Sequence, residues 1–188
     1  MSKILVDTID TRSGTTTLTL GSSNAGTIAL GSGDVQSNML YPAFHATKSS
    51  STNISSATNT KIEFNSELFD TDSKYDNSTN YRFTPTVAGK YLVYGQVNAS
   101  NSNGEEYQYG AILLYKNGSE LARNAIDFNN NSAGKGNQII QAISMIVDFD
   151  TDDYVEMYVR AVVGSGTPSI YGESSASPTY FGAYRIGT

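Results

Sequence analysis

Carboxylates spaced two apart are the most chemically suggestive feature of this chain. The run Asp148-Phe149-Asp150-Thr151-Asp152-Asp153 sets side chains where they can converge on a hard cation. Asp150, Asp152 and Asp153 are therefore the candidate metal ligands, with calcium as the ion. The run lacks the Gly and the distal Glu of a dedicated calcium loop. The expectation is a solvated turn between strands and no bound cofactor. Asp70, Asp72 and Asp76 form a second acidic group, read as a turn whose carboxylates bond nearby backbone. Glu67, Glu105 and Glu106 have nothing to fix the separation that a glycosidase pair requires. His45 is the single histidine, and no nucleophile or acid is placed beside it by the sequence. The Gly-rich segments lack a Lys-Ser/Thr partner and a following helix, so they are not phosphate loops. The absence of cysteine removes thiol nucleophiles and Cys-based zinc sites. The chemistry points away from an enzyme.

Tyrosine carries a different kind of chemistry. Tyr107, Tyr109, Tyr158, Tyr171 and Tyr180 fall in or beside predicted loops and strand faces. Each offers flat apolar area and a hydroxyl, which suits sugar binding and protein interfaces alike. The candidate tip loops are Asn98–Glu106, Asn129–Asn137 and Gly164–Ser177, whose Asn, Ser and Gly content suits adaptable hydrogen bonding. The ligand-contact candidates are Tyr107, Tyr109, Tyr171, Asn101, Asn103 and Asn130. Packing in a core or between subunits is the plainer role for the same tyrosines.

These side chains need a scaffold, and the composition indicates which. The 188 residues suit one ordinary domain plus an appendage. Thirteen Tyr and seven Phe, with only 16% charged residues, argue for a folded, β-rich protein. A net charge of -6 argues against nucleic acid and against an anionic membrane surface as partners. No segment approaches the length of apolar chain needed to insert into a bilayer. The first residues lack the apolar run of a signal peptide, which predicts a protein kept in the cytoplasm or released without one.

Strands follow from alternation and turn signals. Ala43–Ala46, Lys61–Phe64, Lys90–Val97, Tyr107–Lys116, Glu120–Asn124, Gln138–Phe149, Tyr154–Val163 and Tyr180–Ile186 read as strands, with a brief one at Ile170-Tyr171. The segment 49–60 reads as a polar loop, and Leu68-Phe69 as a small apolar anchor. Asn117-Gly118 is the dipeptide that best supports a tight hairpin. Gln138–Phe149 is apolar on both faces apart from Gln141, so it should lie between layers or at a subunit contact. Val155, Met157, Val159 and Ala161 alternate with residues expected to meet solvent or a neighbouring chain. Eight to ten strands without a helix predict an all-β sandwich or jelly roll.

The chain divides into residues 1–40, rich in Ser, Thr and Gly, and residues 41–188. Within the first lies a repeat, Thr17–Gly26 followed by Thr27–Gln36, with apolar residues two apart and then a Gly-Ser turn. So short a ribbon is marginal alone. The regular spacing favours a strand-turn stalk ordered by sharing a core between chains over a flexible linker.

The second part resembles the C1q/TNF-like jelly-roll family. In that family a Tyr-Asp precedes a Phe, and a Gly-x-Tyr follows five residues later. Here Tyr75-Asp76, Phe83, Gly89 and Tyr91 match, and Phe181-Gly182-Ala183-Tyr184 resembles its closing strand. Leu113–Gly118 is similar to its Lys-Asn-Gly hairpin, and Asp153–Met157 to the start of a late strand. The resemblance implies a homotrimeric head. A surface or strand-edge position is the expectation for His45, the alternative being that it meets its copies at a threefold axis and binds an ion. Lys3–Ile9 and the repeats before such a head resemble fibre-type structural proteins of tailed bacteriophages. That resemblance implies a virion protein assembled in the host cytoplasm, joined to other virion proteins through residues 1–40, with a head that contacts a host-surface glycan or protein. The alternatives are a structural capsid or tail decoration (cement) protein and a free C1q-like lectin or adhesin.

Overall fold

The computed structural model describes residues 42–101, 107–128 and 136–187. The stalk and repeat expected in residues 1–40 lie outside the described residues, as do Asn103 and Asn130.

Thirteen strands, and among the described residues no helix, build two antiparallel sheets. The first sheet is centred on β7 (Gly89–Asn101). On one side β7 pairs along its length with β10 (Gln138–Phe149). On the other it pairs with β13 (Tyr180–Gly187) and, further along, with β12 (Pro168–Glu173). β13 continues to β1 (Ala43–Thr47) and β4 (Ser66–Asp70), and β12 to β2 (Ser50–Asn53). The second sheet runs β5 (Tyr75–Asp76), β6 (Arg82–Phe83), β11 (Val155–Val163), β8 (Tyr107–Lys116), β9 (Ser119–Asp127). β3 (Asn59–Lys61) lies beside β11 as well.

The core between the sheets is organised by aromatic rings. Phe44 stacks on Tyr75 and on Phe83, each at 4.6 Å between ring centroids, and meets Phe181 edge-on at 4.9 Å. Tyr91 bridges Phe83 to Phe149 by edge contacts. Pairs of this kind contribute about 0.5–1.5 kcal/mol each beyond the area they bury. Four of the motif residues, Tyr75, Phe83, Tyr91 and Phe181, are thus neighbours in one cluster, and Phe44 is its hub. The other two shape the backbone. Asp76 accepts backbone N–H bonds from Ser78, Thr79 and Asn80, which fixes the turn after β5. Gly89 has φ +138°, and a Cβ there would run into the Gly187 carbonyl.

The two sheets are tied at one margin by side chains rather than by backbone pairing. Gln141, buried on β10, satisfies β9 with its amide assigned so that the nitrogen faces the Asn124 carbonyl at 2.6 Å and the oxygen faces the Ile126 N–H at 3.2 Å. Asn124 returns a bond from its Nδ2 to the Ala142 carbonyl at 2.8 Å. The polar residue that interrupts the apolar face of β10 therefore serves the otherwise unpaired backbone of β9.

Several expectations are corrected. The segment 49–60 is not all loop, because β2 and the start of β3 lie in it. β2 is exposed at every position and is held by backbone pairing and by the Ser51 hydroxyl, which accepts from the Gly172 N–H, so it shows no apolar alternation. The strand expected over Lys61–Phe64 ends at Lys61, although Ile62 and Phe64 are fully buried. Leu68 and Phe69 anchor nothing inward: they are 63% and 49% exposed on the edge strand β4. Asn98–Asn101 extends β7 instead of opening a loop. Of the two placements expected for β10, only enclosure between layers is ruled out, because one face enters the core and the other is open in a single chain.

Candidate functional site

Two faces of the sandwich point away from the core, and they differ in chemistry. The outer face of the first sheet follows from register. Ile146 pairs with Leu92 and Leu92 with Tyr184; Ser144 pairs with Tyr94 and Tyr94 with Gly182; Ala142 pairs with Gln96 and Gln96 with Tyr180. β1 adds His45 opposite Gly182, and β4 adds Phe69 opposite His45. The face is apolar and aromatic, with Ile140 60%, Ile146 58% and Tyr184 39% exposed. At its centre His45 Nδ1 and the Tyr94 hydroxyl share a hydrogen bond of 2.9 Å. The His45 ring lies 5.5 Å from Tyr180 and 6.2 Å from Phe69. Burial lowers the His45 pKa. His45 is therefore not a free surface residue: its ring is packed among aromatics and its Nδ1 is engaged by the Tyr94 hydroxyl.

The outer face of the second sheet is polar. Across it, Asn59 on β3, Arg160 on β11, Ala111 on β8 and Ala125 on β9 stand side by side. A cleft of about 450 Å³ opens on this face, lined by Asn59, Tyr109, Arg123, Arg160 and Val162. Arg123 forms a forked ion pair with Glu120 at 2.6 and 2.7 Å and reaches the Tyr109 hydroxyl at 3.4 Å. Arg160 donates to Asn59 Oδ1 at 3.4 Å. Asn59 is held in turn by the Tyr115 hydroxyl at 2.9 Å.

The candidate residues from the sequence separate. Tyr107, read as exposed, is fully buried, and burial raises its pKa. Asn101 is buried at the end of β7, where its Nδ2 donates to the Ser165 carbonyl. Tyr171 is 37% exposed and donates to Glu173. Tyr109 alone of the three tyrosines lines a cleft. Position in a strand, not proximity to a loop, decides these fates: Tyr107 begins β8 pointing inward, and Tyr109 two residues on escapes through the irregular register at Val162/Val163. Arg123 and Arg160 gave no sequence signal, because only the register of β9, β8 and β11 brings them together.

The acidic turn is committed to the hairpin beside it. Asp153 Oδ2 meets Lys116 Nζ at 2.7 Å and Oδ1 accepts from Asn117 Nδ2 at 2.6 Å, while Asp150 donates its N–H to Asp153. These bonds hold the Asp153 pKa down to about 2 against the opposing effect of burial. Asp70 likewise accepts from the Tyr75 N–H at 2.7 Å. Among the described residues no group of three or more His, Asp or Glu is placed to hold a metal ion.

No family model matches the chain. It is 28% identical over 133 residues to the phage-like element PBSX protein XkdV of Bacillus subtilis (strain 168), covering 69% of this chain and 19% of that protein. The chain thus spans about a fifth of that relative's length. The globular domain of zebrafish complement 1qA protein superposes with a TM-score of 0.52 at 14% identity, over 78% of this chain and 98% of that one. The Eiger TNF of S. frugiperda superposes with a TM-score of 0.53 at 12% identity, over 78% and 94%. With the aromatic cluster and the two-sheet topology, these likenesses establish that the described part of the chain has the C1q/TNF-like jelly-roll fold.

Proposed function

We propose that this chain is a non-enzymatic virion protein, a homotrimeric fibre whose head binds a glycan or protein on the host surface. The observation that carries the trimer is the outer face of the first sheet. Contiguous apolar surface of this kind marks an association site on a soluble protein. β9, with Leu121 and Ile126 exposed, supplies an apolar edge for that face to receive. An edge of one copy against a face of the next is a head-to-tail contact, which closes into a ring when the rotation allows. The virion assignment rests on the likeness to a protein of a phage-like element. Residues 1–40 would join the trimer to other virion proteins. Three identical heads bind multivalently, which makes weak individual contacts sufficient.

Light scattering on the full chain tests the assembly. A particle of three times 20.2 kDa supports it, and a monomer at micromolar concentration overturns it. Electron cryo-microscopy of the intact particle tests the rest. Heads facing outward support host binding. Heads seated between capsid or tail subunits favour the decoration reading, and absence from the particle favours a free lectin.

A further inference from the structure

We infer that the cleft between Arg160, Tyr109 and Arg123 on the second sheet is an oxyanion-binding subsite for an acidic saccharide, a sugar carrying a carboxylate or a phosphate. This deepens the reading of the head as a host-surface binder and rests on it for the biological ligand. The site itself is built from a single chain.

Three observations converge. First, two guanidinium groups flank one hollow on a protein whose net charge is -6. The carboxylates of the same face, Glu120 and Asp127, both already have partners. Arg123 is matched by Glu120, whereas Arg160 donates to the neutral Asn59 Oδ1 at a long 3.4 Å. Arg160 thus brings a largely uncommitted fork of donors to the cleft, and such a fork suits a carboxylate or phosphate. Second, the hollow has the dimensions of a small-ligand site, about 450 Å³. Third, the wall opposite is mixed. Tyr109 offers a ring and a hydroxyl, Val162 an apolar patch, and Asn59 an amide held in place by Tyr115. A sugar ring with one charged substituent matches that combination, with the anion on Arg160 and the ring against Tyr109 and Val162. The cleft lies on the sheet opposite the apolar face of its own chain.

The test is titration of the full-length protein with glucuronate, glucose 6-phosphate and neutral glucose, followed by backbone amide NMR at Asn59, Tyr109 and Val162. Saturable shifts confined to these residues are expected with one or both anions, at a dissociation constant of roughly 10 mM or below. Which anion binds more tightly identifies the carrier. Arg160→Gln should weaken binding about tenfold or more, the value of a charge-assisted hydrogen bond, and leave the rest of the spectrum unchanged. Glu120→Gln, which releases Arg123, should tighten binding several-fold. The inference is overturned if neither anion shifts these amides, if glucose shifts them equally, or if Arg160→Gln binds as wild type does. The mass of the same sample by light scattering separates the outcomes. A trimer without anion binding removes the subsite alone, and a monomer with it removes the assembly alone.

Discussion

The Tyr94 hydroxyl lies 2.9 Å from His45 Nδ1 and ties β7 to β1 across the intervening strand β13. It can do so because position 182 is glycine. A Cβ there would stand 2.5 Å from the Tyr94 ring carbon and hydroxyl. The pair therefore sits on the open apolar face, walled by Phe69 and Tyr180.

That placement makes stability fall in mild acid. Burial lowers the His45 pKa below its ordinary 6.5, so the unfolded chain binds the proton more readily than the folded one. The His45 contribution is complete above pH 6.5 and is lost as the pH falls from there through the lowered folded value. The groups packed on the ring are aromatic, so no carboxylate among them offsets the charge. Thermal melts at pH 7 and pH 5 should show a loss for wild type that shrinks in His45→Phe. An equal loss in both proteins would show that His45 is not the group responsible.

The open face makes a second prediction. Ile140 and Ile146 protrude from β10 and touch little within one chain. Replacing both by Glu should leave the secondary structure and single-chain core intact, within about 0.5 kcal/mol, as for exposed positions generally. The same change places charges at the centre of the proposed contact, so the trimer should dissociate. Circular dichroism and light scattering on one sample give both readouts. A variant that remains trimeric would place the contact elsewhere.

A third prediction concerns the ring cluster. Phe44 is fully buried and touches Tyr75, Phe83 and Phe181. Phe44→Ala should cost about 3–5 kcal/mol, and Phe44→Leu clearly less, since it refills part of the cavity. Urea unfolding of both variants would check the order. Equal costs would mean that the stacking geometry, not the volume, governs the site.

Particular residues show why much of the fold was legible and the site was not. Tyr75, Phe83, Tyr91 and Phe181 form a spaced motif that marked the fold, and in the structure they build one ring cluster. Phe44, the hub, sits alone in a five-residue strand, and one ring has no spacing to read. Asn117-Gly118 announced its hairpin because both residues must take positive φ, and they do, at 52° and 77°. β2 gave no signal because Ser50–Asn53 is exposed throughout and has no apolar residue to alternate. The cleft was invisible for a deeper reason. Arg123, Tyr109 and Arg160 lie on separate strands, and their meeting depends on register that local pattern does not encode.

Glu156 shows the limit of alternation and yields the last prediction. Its place in β11 assigned it to the outer face, toward solvent or a neighbouring chain, yet its side chain is only 6% exposed because Lys61 on β3 folds over it, 2.5 Å away. The Tyr158 hydroxyl adds a weak bond to the other carboxylate oxygen at 3.4 Å. The two partners are unequally placed. Lys61 is 31% exposed and also donates to the Asn80 carbonyl at 3.2 Å, so it keeps partners if Glu156 is lost. Glu156 has no such reserve. Lys61→Met should therefore cost about 3 kcal/mol, because it leaves a buried carboxylate uncompensated. Glu156→Gln should cost nearer 1 kcal/mol, the value of an ordinary hydrogen bond. Combining the two changes should recover most of the loss of Lys61→Met, since the stranded charge goes with its partner. Urea midpoints of the three variants check the pattern. A Lys61→Met protein as stable as wild type would mean that water, not Lys61, compensates Glu156.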